Sequence, residues 1–186
     1  MDEMREFRIQ ICDTHYLSRI TYNDKTAYLE HLTDEEISRN TLRIPYPYTE
    51  ADADQWLYLC AKNARDPEKL FAIRDATGYL IGGIGIGDDL SEGTTRAEFG
   101  YWLAKPHRGR GIMTQAISTY TDYAFQHLGL SCLYAIPFIN NVASQRVLEK
   151  AGFQRESLLP QYHVKNGVQI DAVRYAKSAN PARRAD

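Results

Sequence analysis

Apolar and polar residues alternate with the two-residue period of a β-strand in several separate segments of this chain. The first, F-R-I-Q-I-C at 7–12, has the pattern of a strand with one buried face. Further along, three strand-like segments rich in apolar residues follow one another, separated by D-A-T-G at 75–78 and by a second turn at 93–95, which predicts an antiparallel meander. Two short apolar runs complete the set. We predict strands at 7–12, 70–74, 79–87, 97–103, 131–136 and 169–175.

A helical period replaces this alternation in the segments between the strands. From 112 to 128 apolar side chains recur every three or four residues, and Gly129 follows in the position of a helix end. Hydroxyl side chains at Thr33 and Thr49 begin T-D-E-E and T-E-A-D, which have the spacing of helix caps. We predict helices at 25–31, from Thr33 onward, from Thr49 to about Asn63, at 112–128 and at 141–150.

A glycine-rich turn, R-G-R-G at 108–111, lies between the strand that ends near Leu103 and the helix that begins at Ile112. The first amides of a helix lack intrahelical acceptors, and the helix dipole favours an anion beside them. This order of elements therefore predicts a phosphate-binding cradle. Two glycines can also form a tight turn with no ligand, but the flanking arginines favour the anion site. A P-loop is excluded, because Gly111 is followed by Ile112 and Met113 and not by lysine.

Length and charge narrow the class of protein. The 186 residues suit one domain, which we place at 1–177, followed by a polar tail at 178–186 that we expect to be mobile. A net charge of -2 argues against a general nucleic-acid binder. No secretory signal pattern and no apolar stretch of membrane-spanning length is found, so we expect a cytoplasmic protein without a membrane partner.

Side-chain chemistry argues against several other kinds of site. Cys12, Cys60 and Cys132 are far apart in sequence and predict reduced thiols, not a disulfide framework. The five histidines do not have metal-binding spacing, so we expect no metal. The G-x-S-x-G elbow of a serine hydrolase does not occur.

Three blocks of sequence occur in the order and spacing of a known family. They are A-E-F-G-Y-W-L at 97–103, the R-G-R-G turn at 108–111, and N-V-A-S-Q-R-V-L-E-K-A-G-F at 141–153. With these blocks the chain resembles the GNAT superfamily of N-acetyltransferases, nearest the ribosomal-protein-alanine type, over about 7–177. The resemblance implies a single α/β domain of the α+β type. Its sheet would be mixed and mostly antiparallel, with six to seven strands, helices on both faces and a V-shaped cleft between two central strands.

The resemblance also implies where acetyl-CoA binds as cosubstrate, with no metal. The pantetheine arm would pair with backbone groups of the strand at 101–103, and the diphosphate would lie on the amides of 108–114. Asn141 is a further candidate, although it can instead cap its helix. Met113 replaces a small residue of the family pattern, which implies altered packing without loss of binding. The implied cofactor-binding residues are Tyr101, Trp102, Leu103, Arg108, Gly109, Arg110, Gly111, Ile112, Met113, Thr114, Asn141 and Arg146.

Acetyl transfer from a thioester needs a base for the amine and a group that stabilises the departing thiolate. Glu98 resembles the family's glutamate that activates the amine directly or through water; the alternative is a solvated or ion-paired surface group. Ser144 resembles the serine that approaches the sulfur, although a hydroxyl there can also satisfy helix-start donors. Some relatives carry a tyrosine acid where this chain has Leu148, so that role is not transferred. Tyr134 and Tyr162 are substitutes in principle, and packing explains each as well.

The implied activity is transfer of an acetyl group to a primary amine by direct attack in a ternary complex. A protein or peptide N-terminal amine is the favoured acceptor, followed by a small-molecule amine such as a polyamine, amino acid, amino sugar or antibiotic. We expect the acceptor loops at 39–50 and 158–167. A non-catalytic acyl-CoA-binding module is the alternative from another class, and a different phosphate-bearing ligand is a weaker one. Relatives are commonly dimers, so a homodimer is compatible with the resemblance.

Overall fold

The structure of the chain is a computed structural model that describes residues 7–62, 69–87 and 93–180. In this part of the chain eight strands form one sheet: β1 (Arg8–Cys12), β2 (His15–Ser18), β3 (Leu70–Asp75), β4 (Leu80–Ile86), β5 (Arg96–Leu103), β6 (Cys132–Ala135), β7 (Gln154–Lys165) and β8 (Val168–Ser178). Their spatial order is β1-β2-β3-β4-β5-β6-β8-β7. Every neighbouring pair is antiparallel except β5 and β6, which run parallel. The predicted mixed, mostly antiparallel sheet and the predicted meander are therefore confirmed.

The count of six to seven strands was wrong, because β2 and β7 were missed. The first, H-Y-L-S, has four residues, too few to show a period. The second lies at the sheet edge, and every one of its residues is exposed or half-buried. An edge strand open to water has no need for apolar alternation, which is why β7 does not show it.

The helices are α1 (Lys25–His31), α2 (Glu35–Arg39), α3 (Glu50–Lys62), α4 (Ile112–His127) and α5 (Val142–Lys150). All five predicted helices are confirmed. The predicted cap of α2 was wrong: Asp34 accepts a hydrogen bond from the Glu36 amide, whereas the Thr33 hydroxyl donates to the Glu30 carbonyl. No helix in the described ranges has both the length and the apolar character needed to cross a membrane.

The helices cover both faces of the sheet. On one face, Ile117 and Tyr120 of α4 pack with Phe71 and Phe99 from the strands. On the other, Tyr28 and Leu57 from α1 and α3 form a second cluster, against which Trp102 of β5 packs. Because successive strand residues point to opposite faces, β5 contributes Phe99 to the first cluster and Trp102 to the second. β5 thus lies between two packed layers.

The last strand passes the predicted domain boundary. β8 continues to Ser178, which pairs with Cys132, and the Ala179 amide donates to the Ser131 carbonyl at 2.8 Å. The remainder of the tail predicted to be mobile, 181–186, lies outside the described residues, as does the N-terminal segment 1–6.

Candidate active site

A cleft opens where β5 and β6 part. Their parallel pairing runs from Arg96 opposite Cys132 to Glu98 opposite Tyr134, and β5 then continues to Leu103. On its other side, the same half of β5 pairs with β4. Backbone groups of β5 that would bond to a longer β6 are therefore turned toward the cleft. This is the V-shaped opening that the resemblance implied.

The start of α4 lies at the same end of the sheet and is built by two glycines. Gly109 and Gly111 have φ angles of 76° and 78°, a left-handed conformation in which a side chain is strained. A Cβ at either position would meet no atom within 4 Å, so there is open space beside both. Gly111 is the N-cap residue of α4 and provides no side-chain cap. The first-turn amides, which lack intrahelical acceptors, therefore have room for an external anion.

A single cavity of about 1190 Å³ joins this helix start to the cleft and to the start of α5. Both predicted catalytic residues, Glu98 and Ser144, line it. Of the predicted cofactor-binding residues, all but one line it: Tyr101, Trp102, Leu103, Arg108, Gly109, Gly111, Ile112, Met113, Thr114, Asn141 and Arg146. The exception, Arg110, is exposed, and its charge acts on His107.

The side chain of Arg108 is engaged with protein groups. Its guanidinium contacts Asp34 and Glu36 of the α2 start, each at 2.8 Å, and donates to the Leu103 carbonyl at 3.0 Å. Its own amide donates to the Lys105 carbonyl. Arg108 therefore ties α2 and the end of β5 to the glycine turn, and the amides available to an anion begin after it.

Ile112 and Met113 turn their side chains into the protein. Each is 6% exposed and belongs to the core cluster beneath α4. Their side chains are therefore mostly withdrawn from a ligand in the cradle. The departure from the family pattern at Met113 is thus a matter of core packing.

Asn141 caps α5. Its Oδ1 accepts a hydrogen bond of 3.1 Å from the Ser144 amide, the arrangement expected of an N-cap asparagine. Because this bond holds the first turn of the helix, Asn141 also fixes the backbone from which the Ser144 hydroxyl projects.

The Ser144 hydroxyl meets the hydroxyl of Tyr101 across the cleft. The two oxygens are 2.6 Å apart, and the Tyr101 oxygen also lies 3.4 Å from the Ser144 carbonyl. Burial raises the pKa of Tyr101 well above its usual value. The sequence does not single out this hydroxyl, because strand alternation gives the face of a side chain but not its partner across a cleft. Leu148, at the position of the family's tyrosine, is fully buried and lies in the core.

Glu98 approaches the cleft from the opposite face of β5. It is exposed, and its register partner on β6 is Tyr134. Burial and then the Glu98 charge raise the pKa of Tyr134. The guanidinium of Arg174 lies 4.0 Å from the centre of the Tyr134 ring. A ligand threaded between β5 and β6 would have Glu98 on one side of β5 and Ser144 on the other.

The two segments predicted as acceptor loops differ in structure. Residues 40–49 form a loop that lines the cavity with Leu42, Ile44 and Tyr48. The expectation of a loop at 158–167 was wrong, because this segment is the end of strand β7 and its turn to β8. Tyr162 and His163 nevertheless line the cavity from there.

The positions of two further lysines were not predicted. Lys165, near the β7–β8 turn, donates to the carbonyls of Ser38 and Thr41, which ties the hairpin to α2 and the loop after it. Lys150 lines the cavity together with Arg146, one helical turn earlier on α5. The spacing of these two basic residues, four apart, was a usable signal of a shared helix face. In the described parts of the chain, no three His, Cys, Asp or Glu side chains group as a metal ion would require.

Comparisons with known proteins give a consistent picture. A family described as "Acetyltransferase (GNAT) domain" matches residues 16–154. Among curated relatives, the uncharacterized N-acetyltransferase YoaA of Bacillus subtilis (strain 168) is 41% identical over 103 residues, covering 55% of this chain and 58% of the relative. Spermidine N(1)-acetyltransferase of Vibrio cholerae is 30% identical over 129 residues, covering 69% of this chain and 73% of that protein. The chain thus spans somewhat more than half the length of the first of these relatives.

Solved structures agree on the fold. RimL, a ribosomal L7/L12 alpha-N-protein acetyltransferase solved with coenzyme A, superposes with a TM-score of 0.83. The superposition covers 92% of this chain and 98% of the other, at 17% sequence identity. At that identity the likeness concerns the path of the backbone alone.

Proposed function

This chain belongs to the GNAT acetyltransferase family, and from that premise we propose that it transfers the acetyl group of acetyl-CoA to a primary amine at the N-terminus of a peptide or protein. The observation that carries the proposal is the parting of β5 and β6 beside the uncapped start of α4. A ligand with an extended polar arm and a diphosphate fits that combination, because the strand offers backbone groups and the helix start offers amides.

The residues around the cleft fit coenzyme A in charge as well as in shape. Gly109 and Gly111 leave open space next to the amides. Arg146 and Lys150 line the same cavity from α5 and bring two positive charges toward the ligand's phosphates. The edge of β5 at 101–103 is in position to receive the pantetheine arm as an added strand would be received.

Acetyl-CoA supplies an acyl carbon already activated as a thioester, so the chain needs to manage protons and charge. We assign Glu98 the removal of the proton from the acceptor amine, directly or through water, because its carboxylate lines the cavity from the face opposite Ser144. We assign Ser144 a hydrogen bond to the sulfur as the carbon–sulfur bond breaks. The amine attacks directly, and no covalent bond to the enzyme forms.

Charge in the cavity supports an acceptor with one amine over a polyamine. Three carboxylates line it in the described part of the chain: Glu36, Asp52 and Glu98. Glu36 contacts Arg108, and Asp52 bonds to Thr49 at the start of α3. A polyamine carries several cations and is best held by several carboxylates. An alpha-N-protein acetyltransferase shares this fold, so a peptide acceptor is compatible with it.

A polyamine remains the second candidate because of one comparison. The relative named spermidine N(1)-acetyltransferase is matched over 73% of its length, a larger share than for YoaA. Peptide and spermidine acceptors should therefore be tested side by side.

Release of free thiol from acetyl-CoA tests the proposal. We expect turnover that depends on the amine, higher with peptides bearing a free N-terminus than with spermidine or amino sugars. Glu98→Gln should lower kcat roughly a hundredfold with CoA affinity within about threefold of wild type, since general-base catalysis contributes on that order. Glu35→Gln, an exposed α2 residue paired with Arg39, is the matched control and should keep full activity.

Two outcomes would contradict the proposal. If CoA binds but no amine in a broad panel releases thiol, the chain is an acyl-CoA-binding module. If calorimetry shows no affinity of the folded protein for CoA, the ligand of the cradle is a different one.

A further inference from the structure

The two hydroxyls that meet across the cleft come from different elements. Tyr101 is on β5 and Ser144 is in the first turn of α5, and their oxygens are 2.6 Å apart. This is a short distance for two neutral hydroxyls and corresponds to a well-formed hydrogen bond. The Ser144 backbone is held by the cap from Asn141, so the geometry of the hydroxyl pair is set from both sides.

Two arrangements of the hydroxyl hydrogens are compatible with these positions. In the first, Tyr101 donates to the Ser144 hydroxyl oxygen. In the second, Ser144 donates to Tyr101, and Tyr101 turns to the Ser144 carbonyl, 3.4 Å away. A serine hydroxyl has one hydrogen, so only the first arrangement leaves it available for a third group. In the first arrangement, the short contact between the two hydroxyls is also the hydrogen bond that Tyr101 donates.

We propose that Tyr101 is a positioning residue for acetyl transfer: its hydroxyl donates to Ser144 and thereby directs the single Ser144 hydrogen to the coenzyme A sulfur. This inference rests on the proposed function and adds to it a residue that acts through another. Leu148, where some relatives carry a tyrosine, has no hydroxyl and is buried. The two hydroxyls that meet at this cleft are those of Tyr101 on β5 and Ser144 on α5.

Tyr101 orients the serine and does not give up its proton. A tyrosine hydroxyl holds its proton more tightly than a thiol does, and burial strengthens that hold, because it raises the pKa of Tyr101. In the transfer, the nitrogen–carbon bond forms and the carbon–sulfur bond breaks. The proton that the amine loses through Glu98 is balanced by the proton that the thiolate takes from solvent. Tyr101 and Ser144 therefore end the reaction protonated, as they began it.

A matched control is available on the same helix. Tyr175 is also buried, and its hydroxyl contacts α5 through Glu149, at 2.9 Å. Tyr175→Phe removes a tyrosine hydroxyl that anchors α5, as Tyr101→Phe does, but Tyr175 does not line the cavity. A purely structural contribution of Tyr101 predicts similar behaviour of the two variants.

Steady-state kinetics of Tyr101→Phe, Ser144→Ala, the double variant and Tyr175→Phe give the first test. We expect Tyr101→Phe to lower kcat about fivefold with an unchanged KM for acetyl-CoA, which is the size of one lost hydrogen bond. In the Ser144→Ala background the same change should have no further effect, because Tyr101 acts through Ser144. Independent effects of the two substitutions, or equal kcat in Tyr101→Phe and Tyr175→Phe, would overturn the inference.

Binding gives a second test that needs no acceptor. We expect the affinity for CoA, relative to desulfo-CoA, to rise with pH as the bound thiol ionises, because the Ser144 hydrogen stabilises the thiolate. Tyr101→Phe should reduce this increase in relative CoA affinity about fivefold, and Tyr175→Phe should leave the increase unchanged. The same pH profile in wild type and Tyr101→Phe would overturn the role of Tyr101 while leaving the proposed activity standing. Failure of wild type to bind CoA would overturn the proposed activity itself.

Discussion

The helices α4 and α5 both begin at the cleft, yet their first turns are completed in different ways. α4 begins after Gly111, which has a left-handed conformation and gives no side-chain cap. α5 begins after Asn141, whose side chain accepts a hydrogen bond from the Ser144 amide. A helix start that lacks a cap leaves its amides for an anion, whereas a capped start satisfies them internally. One cavity thus contains a start suited to binding phosphate and a start suited to holding a hydroxyl in place.

The difference follows from one residue at each helix start. Glycine is the residue that takes the left-handed conformation without strain, and it leaves no atoms in front of the amides. Asparagine fills the corresponding space with an acceptor of its own. Changing either residue should therefore change the corresponding property. Two predictions test this and a third concerns the pH dependence of the α4 start, in order of expected effect.

The largest effect is expected at Gly111. Asparagine and aspartate both tolerate the left-handed conformation, so Gly111→Asn and Gly111→Asp differ mainly in charge. The carboxylate would lie against the amides and repel the diphosphate by about 2 kcal/mol after solvent screening, a loss of roughly 30-fold in CoA affinity relative to Gly111→Asn. Calorimetric titration with CoA measures this. Equal CoA affinity in the two variants would mean that the diphosphate binds elsewhere.

At α5, the same reasoning predicts a loss of stability. Asn141→Ala removes the acceptor for the Ser144 amide and should lower the free energy of unfolding by about 1 kcal/mol, the usual effect of losing an N-cap. Asn141→Asp retains an acceptor and should stay close to wild type. Urea unfolding of the two variants provides the comparison. If Asn141→Ala left the stability unchanged but weakened CoA binding, the side chain would be a ligand of the cofactor and not a cap.

Local chemistry explains which parts of this picture the sequence predicted. The helices and the central meander follow from periodicity, and the α4 start follows from the requirement for glycine. Asn141 was left open between cap and ligand, because residue type alone does not show which acceptor the Ser144 amide meets. The strand β7 was missed for a different reason: it lies at the sheet edge and none of its residues is fully buried.

The contact between Tyr101 and Ser144 could not be predicted because it joins residues 43 positions apart through the tertiary fold. The side chain of Arg108 is a similar case. Its charge pointed toward an anion, but the folded chain places Asp34 and Glu36 within reach, and those contacts lie 72 to 74 positions away in sequence. Residue types thus predicted the kind of site, whereas the partners of individual side chains required the structure.

The smallest expected effect is a pH dependence at the α4 start. His107 lies just before the α4 cradle, and burial followed by the charge of Arg110 lowers its pKa. His31 and His15 lower it further, and Asp75 acts against them. At neutral pH the imidazole is therefore uncharged. As pH falls below the usual histidine value of about 6.5, the unfolded chain takes up a proton before the folded one does, so this contribution to stability declines with decreasing pH.

CoA binding should respond to His107 with the opposite sign. A bound diphosphate beside the α4 start favours the protonated imidazole, so CoA affinity should gain a component from His107 as pH falls from 7.5 to 5.5. The phosphates of CoA titrate in the same pH range. The variant His107→Gln keeps a polar side chain that does not ionise, so its difference from wild type gives the part of the pH dependence of CoA affinity that comes from His107. We expect the variant to lose both the decline in stability and the gain in affinity. If His107→Gln removed neither, the imidazole would have no electrostatic coupling to the cradle, and α4 would bind its anion through backbone amides and permanent charges alone.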